Sequence, residues 1–247
     1  WAELETMEEV ELGLAGARKV QSVVDEHEWL TVVREVAEAQ GFFHWELDFA
    51  TVFARGGFDL QVGNPPWVRP DVSVETLLAD GDPWWMLTKK PSLADRQERL
   101  PRTVARPDAL ATVLEGAAET EVLAEFISDQ SVYPIMEGRP DLYRAFMCQV
   151  WEHQKQQGIS SLIHMETHFT DAKTPELRAA TYRHLRRHWQ FINELQLFDI
   201  QHQKIYGTHV YGREQSPLFL HATSLYHPDT VLRSLMHDGS GEEPGFK

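Results

Sequence analysis

Phe58-Asp59-Leu60-Gln61-Val62-Gly63-Asn64-Pro65-Pro66-Trp67 is the stretch on which the reading of the fold turns. Its first half is apolar and β-prone, so a strand is expected over Phe58–Val62. Two consecutive prolines then stop it, because neither can donate to a ladder. A residue before proline is driven out of the helical region, so Asn64 and Pro65 are both expected to be extended. The Asn64 amide and the Trp67 indole are thereby projected from the carboxyl end of the strand. In open α/β sheets that end is where ligands sit, and an amide beside an aromatic plate suits a flat, hydrogen-bonding group. A bare Asn-Pro-Pro-aromatic string arises by chance in roughly one chain in several hundred, so the flanks carry much of the argument.

Asn64-Pro65-Pro66-Trp67 behind an apolar strand resembles the catalytic motif of AdoMet-dependent amino-methyltransferases, (Asp/Asn/Ser)-Pro-Pro-(Tyr/Phe/Trp), which modify the exocyclic amine of adenine or cytosine in DNA. The longer frame is His44-Trp45-Glu46-Leu47-Asp48-Phe49, Val52-Phe53, Gly56-Gly57-Phe58-Asp59 and Gly63 through Val68. It is similar to the large adenine-N6 methyltransferases of type IIG restriction enzymes and phage-defence systems. Asp141-Leu142-Tyr143 before a helix, and Gly158-Ile159 on to Phe169, resemble the next strand of those enzymes. The resemblance covers about residues 42–69 and 141–222 and is much weaker between them.

The resemblance implies an α/β fold, the catalytic-side half of a Rossmann-like methyltransferase sheet, with a mostly helical insertion. It implies double-stranded DNA as partner and S-adenosyl-L-methionine as cofactor, with a base flipped out of the duplex. The side-chain carbonyl of Asn64 and the backbone carbonyl of Pro65 would accept the two N6 hydrogens, and Trp67 would stack on the adenine; Pro66 completes the motif. The family also implies a cofactor turn, an acidic or Asn residue and Pro before Gly-x-Gly, and residues 1–57 contain nothing like it. Cofactor-binding residues are therefore unassigned. The expectation is that remaining segments of a longer parent polypeptide supply them, and Trp1 in place of Met agrees. This piece alone would then be inactive. The alternative is a non-catalytic DNA- or protein-binding module that retains the methyltransferase framework.

Working outward, 247 residues with 42% hydrophobic and 11% aromatic content suffice for a proper core. The single Cys148 excludes a disulfide framework and a multi-cysteine metal site. No apolar run approaches a membrane span, and residues 1–20 are acidic and amphipathic, unlike a signal peptide. A soluble, cytoplasmic protein without membrane contact is expected. The net charge of -15 sits awkwardly with DNA, because Lys and Arg neutralising phosphates dominate such affinity. The excess lies largely in residues 1–50, which hold twelve acids against Arg18, Lys19 and Arg34. Two later clusters are basic: Lys89, Lys90, Arg96, Arg99, Arg102 and Arg106, and then Lys173, Arg178, Arg183, Arg186 and Arg187. Lys89, Lys90, Arg96, Arg99, Arg183, Arg186 and Arg187 are the candidate DNA-binding residues, against the plainer reading of solvated charged faces.

Apolar spacing predicts two or three helices in an N-terminal segment over residues 1–41, then an irregular aromatic stretch over 42–53. The catalytic half is expected over 42–69 and 141–235, interrupted by an insertion over 70–140 that has turn signals through Pro107 and an amphipathic helix at 108–127. Trp84-Trp85-Met86-Leu87 is expected to pack rather than to wedge between bases. A helix over 141–157 should stop at Gly158 and lead into a strand, Ile159–Ile163. Thr174 is a candidate N-cap with Pro175 at the first helical position, and that helix should reach about His188. Strands are then expected at Phe191–Ile200 and Pro217–Ala222, with a polar loop over Gln201–Gln215 between them. A frayed tail is expected over 236–247. His164-Met165-Glu166-Thr167-His168 raises a metal site, yet zincins place Glu next to the first His, and a strand end does not put the two imidazoles on one face. No metal is expected there.

Overall fold

The computed structural model describes residues 19–241 apart from positions 72, 107 and 139. The helices expected within residues 2–18 and the end of the expected tail, 242–247, lie outside the described residues. The chain divides into two compact units, Trp1–Thr51 and Val52–Lys247.

The first unit carries α1 (Val20–Glu26), α2 (Glu28–Gln40) and α3 (Trp45–Asp48). Gly41 closes α2 in the left-handed conformation, φ +61°, and its amide donates to the Ala37 and Glu38 carbonyls, the usual glycine stop. α2 buries none of its residues; Trp29, Val32, Val33 and Val36 are exposed. Phe43, Trp45 and Phe49 pack ring on ring at 5.3–5.8 Å. The stretch expected to be irregular is thus partly helical, with α4 (Ala50–Phe53) directly after α3.

The second unit is built on a five-stranded mixed sheet: β1 (Phe58–Gly63), β2 (Gln154–Met165), β3 (Leu185–Ile192), β4 (Ile205–Tyr211) and β5 (Leu220–Leu225). The spatial order is β1-β2-β4-β3-β5. β1 and β2 are parallel, β3 and β5 are parallel, and β4 runs antiparallel to both neighbours. With helices around it, this is a mixed α/β open sheet compatible with half of a Rossmann-like methyltransferase fold.

Several expectations need correction. The helix expected to run to Gly158 is α9 (Leu142–Glu152), and Gln154–Gly158 already belong to β2. Gly158 is no helix stop: a Cβ there would lie 2.4 Å from the Phe58 carbonyl oxygen, so glycine is what lets β2 bulge against β1. The helix expected to reach His188 is α11 (Pro175–His184), after the short α10 (Thr167–Thr170), and β3 begins at Leu185, upstream of the expected Phe191. The downstream part, Asn193–Leu195, is a 3₁₀ turn. The expected loop over 201–215 contains β4, whose Tyr206, Gly207, His209 and Tyr211 are buried. Thr174 does precede α11, but its hydroxyl caps nothing.

The sheet is packed on both faces. Tyr143, Met147 and Trp151 of α9 and Leu177 and Ala180 of α11 pack with Leu162, Leu185 and Tyr211. A smaller cluster joins Phe191, Tyr206 and Leu225, with Trp67, Ile163 and Phe198 against it. Alternation along a strand delivers Ile163 and Leu162 to these different clusters. Residues 70–140 carry α5 (Val74–Gly81), α6 (Trp84–Leu87), α7 (Leu93–Val104) and α8 (Ala109–Ser128). Asp82 knits three of them: it accepts from Arg99 at 2.6 and 2.9 Å, from the Thr103 hydroxyl and from the Trp84 amide. Trp85 is buried and its Nε1 donates to Thr103, whereas Met86 and Leu87 are exposed. No helix among the described residues is long and apolar enough to cross a membrane.

Candidate active site

The chain leaves β1 at Gly63 and runs through Asn64–Trp67 without regular structure, as the prolines require. Asn64 and Pro66 are exposed, Pro65 is buried and Trp67 is half-buried. The Asn64 amide has no hydrogen-bond partner among the described residues, leaving one acceptor and two donors open at the carboxyl end of the strand. Trp67 is held firmly. Its Nε1 donates to the Ile163 carbonyl at 3.0 Å, and its ring lies 4.8 Å from Phe198 and 5.8 Å from Tyr206.

Asn64, Pro65, Pro66 and Trp67 form one side of an open cleft of about 260 Å³, and Phe198, Asp199 and Ile200 form the other. The far wall depends on Asn193, which sequence reasoning missed. Its buried side chain donates to the Phe198 and Ile200 carbonyls at 3.0 Å and accepts from the Phe198 amide at 3.1 Å. The available signal was an Asn directly after a β-prone run and before a polar turn, a residue suited to bonding nearby backbone. The cleft therefore presents an uncommitted amide, an anchored indole and a phenyl wall, a set that can hold a planar polar ring.

The candidate DNA-binding cations differ in how free they are. Arg96 pairs with Glu75 at 2.5 Å, Arg99 with Asp82, and Arg183 with Glu214. The Arg186 guanidinium donates to the His184, Leu185 and Arg213 carbonyls. Lys89, Lys90 and Arg187 are exposed and have no ion pair among the described residues. Lys89 and Lys90 follow α6, and Arg187 lies on β3.

His164 and His168 do not converge on Glu166. His164, at the end of β2, bonds the Tyr211 hydroxyl through Nε2 at 2.9 Å and the Met165 carbonyl through Nδ1. His168, on α10, lies 3.4 Å from the Tyr143 hydroxyl. Burial pushes the His164 imidazole down to about 3 and the His168 imidazole well below the usual histidine range. Glu166 instead meets His188 Nε2 at 2.5 Å, and the group that could hold a metal among the described residues is Glu166, His188 and His209. Sequence reading could not pair these residues, since Glu166 follows β2 while His188 and His209 lie within β3 and β4, far apart in the chain.

Residues 9–83 match the family profile of the Eco57I restriction-modification methylase. No curated protein matches the chain. The matched segment includes β1 and Asn64–Trp67, so the cleft above lies partly within it. The match covers less than a third of the chain, and over that segment the chain is similar to restriction-modification methylases.

Proposed function

We propose that the chain forms the target-base side of an AdoMet-dependent DNA adenine-N6 methyltransferase serving restriction-modification or phage defence. The observation that carries the proposal is the exposed Asn64 with its uncommitted amide, set beside an anchored Trp67 at the carboxyl end of β1. A flipped adenine stacks against Trp67, which offsets part of the few kcal/mol spent on unstacking it. Asn64 Oδ1 and the Pro65 carbonyl accept the N6 hydrogens, orienting the nitrogen and raising its electron density. When bound, S-adenosyl-L-methionine supplies the methyl group. Its binding turn comes from other segments of the protein, and the residues described above do the positioning. Phosphate contacts fall to the free cations Lys89, Lys90 and Arg187, while Arg96, Arg99, Arg183 and Arg186 keep their neighbours in place.

The test uses the full protein with AdoMet and its DNA duplex. Asn64→Ala should lower kcat by about two to three orders of magnitude, as loss of one hydrogen bond that tightens in the transition state does. DNA and AdoMet binding should stay within a few-fold. Trp67→Ala should reduce the fluorescence rise of 2-aminopurine at the target position. Methylation at the parent rate by both variants would overturn the proposal.

A further inference from the structure

Away from the cleft, the sheet gathers a second set of side chains that methyl transfer leaves unused. His188 of β3 and His209 of β4 are cross-strand partners, with rings 4.7 Å apart, and Glu166 follows directly on β2. Glu166 Oε1 lies 2.5 Å from His188 Nε2 and 4.0 Å from His209 Nε2. All three ligand atoms fall within 4.8 Å of one another.

Four details distinguish this arrangement from an ordinary buried ion pair. His209 is fully buried, yet its Nε2 has no hydrogen-bond partner among the described residues. An unmet polar atom at such depth is costly, and a cation at that nitrogen would satisfy it. Gly207 keeps the space between the ligands open: a Cβ there would stand 2.7 Å from Glu166 Oε1 and 2.8 Å from His209 Nε2. Gln190 Nε2 donates to Glu166 Oε2 at 2.5 Å, so the carboxylate is aimed with Oε1 toward both imidazoles, as outer partners of metal ligands do. His164 stacks on His209 at 3.9 Å with the planes 2° apart, which restrains the ring.

We propose that Glu166, His188 and His209 bind one divalent transition ion of the zinc class, clamping β2, β3 and β4 together. Two imidazole nitrogens and a carboxylate oxygen suit a borderline ion such as Zn²⁺ or Co²⁺ and disfavour Mg²⁺. Ligand atoms about 2.1 Å from a tetrahedral ion stand about 3.4 Å apart, so shifts of about an ångström complete the site. The Glu166–His188 hydrogen bond then opens, and any proton on His188 Nε2 leaves to solvent as the nitrogen coordinates. A fourth coordination position stays open. The site does not depend on the methyl-transfer reading.

The experiment takes the full chain, strips it with a chelator, confirms the fold by circular dichroism, and titrates Zn²⁺ by calorimetry and Co²⁺ by visible absorption. One ion per chain is expected, with a ligand-field spectrum of low coordination number and a raised melting temperature; Mg²⁺ should do neither. His209→Gln and Glu166→Gln should each weaken Zn²⁺ binding about 100-fold or more, Gln190→Ala about 10-fold, and exposed His221→Gln not at all. The proposal is overturned if the folded parent chain binds no stoichiometric Zn²⁺, if Mg²⁺ binds equally well, or if both ligand variants retain parent affinity.

Discussion

The indole nitrogen of Trp67 donates to the carbonyl of Ile163, which ties the motif to the carboxyl end of the neighbouring strand at 3.0 Å. Trp67→Phe keeps much of the ring contact with Phe198 and Tyr206 but loses this bond, and should cost about 0.5–1.5 kcal/mol in urea unfolding. Trp67→Ala also empties its place beside Tyr206 and should cost about 3 kcal/mol. Equal stability of the two variants would show that the hydrogen bond, and not the packing, is the whole contribution.

Asn64 should behave in the opposite way. It is exposed and bonded to nothing among the described residues, so Asn64→Ala should change unfolding free energy by no more than about 0.5 kcal/mol. A loss of several kcal/mol on thermal unfolding would mean that the side chain supports the fold.

Arg99, above all, holds the Asp82 carboxyl well below its ordinary value of 3.8, with Thr103 and the Trp84 amide adding to it. A depressed carboxyl contributes stability that is present in full above the unfolded value and is lost as pH falls toward the folded one. Asp82→Asn should therefore cost about 1.5–3 kcal/mol at pH 7, and the gap to the parent should narrow below pH 3.8. Denaturation curves at several pH values check both the size and the sign.

Burial, with a smaller contribution from Glu152, pushes the Cys148 thiol up to about 12. The thiolate is the reactive species, so a disulfide reagent at pH 8 should leave the folded protein unlabelled and modify one thiol only after denaturation. Prompt labelling of the native protein would contradict this packing.

Gly158→Ala forces a methyl group to within 2.4 Å of the Phe58 carbonyl oxygen, a backbone atom that cannot swing aside. A cost of about 1–3 kcal/mol is expected, read as a lowered urea midpoint. A neutral substitution would imply that the β1–β2 bulge is pliable.

Gly158 also shows where sequence reading falls short. A glycine after an amphipathic helix reads as a stop, and only the partner strand reveals that it serves a close approach. β1 and Asn64–Trp67 were legible because apolar patterning and proline chemistry act locally and agree. β4 was not: the side chains it buries include Tyr206, His209 and Tyr211, around Gly207, and such a run reads as a polar loop until the partners of those groups are known. Arg186-Arg187-His188 likewise extends the helical pattern of α11 in charge alone, although His188 is buried on β3. The far wall of the cleft depends on Asn193 reaching five and seven residues ahead, a relationship that composition does not encode.

The reversed strand β4 has a consequence for synthesis. β3 leaves the ribosome before β4, yet its link to β2 in the sheet runs entirely through β4. A nascent chain that has emerged only as far as residue 200 thus holds β1 and β2 as one parallel pair and β3 without its inner neighbour. Both edges facing the missing strand stay open to other chains until Tyr211 is out. The seven residues from Ile205 to Tyr211 are the keystone of the sheet, and a pause in translation just before them is the moment of greatest exposure to misassembly.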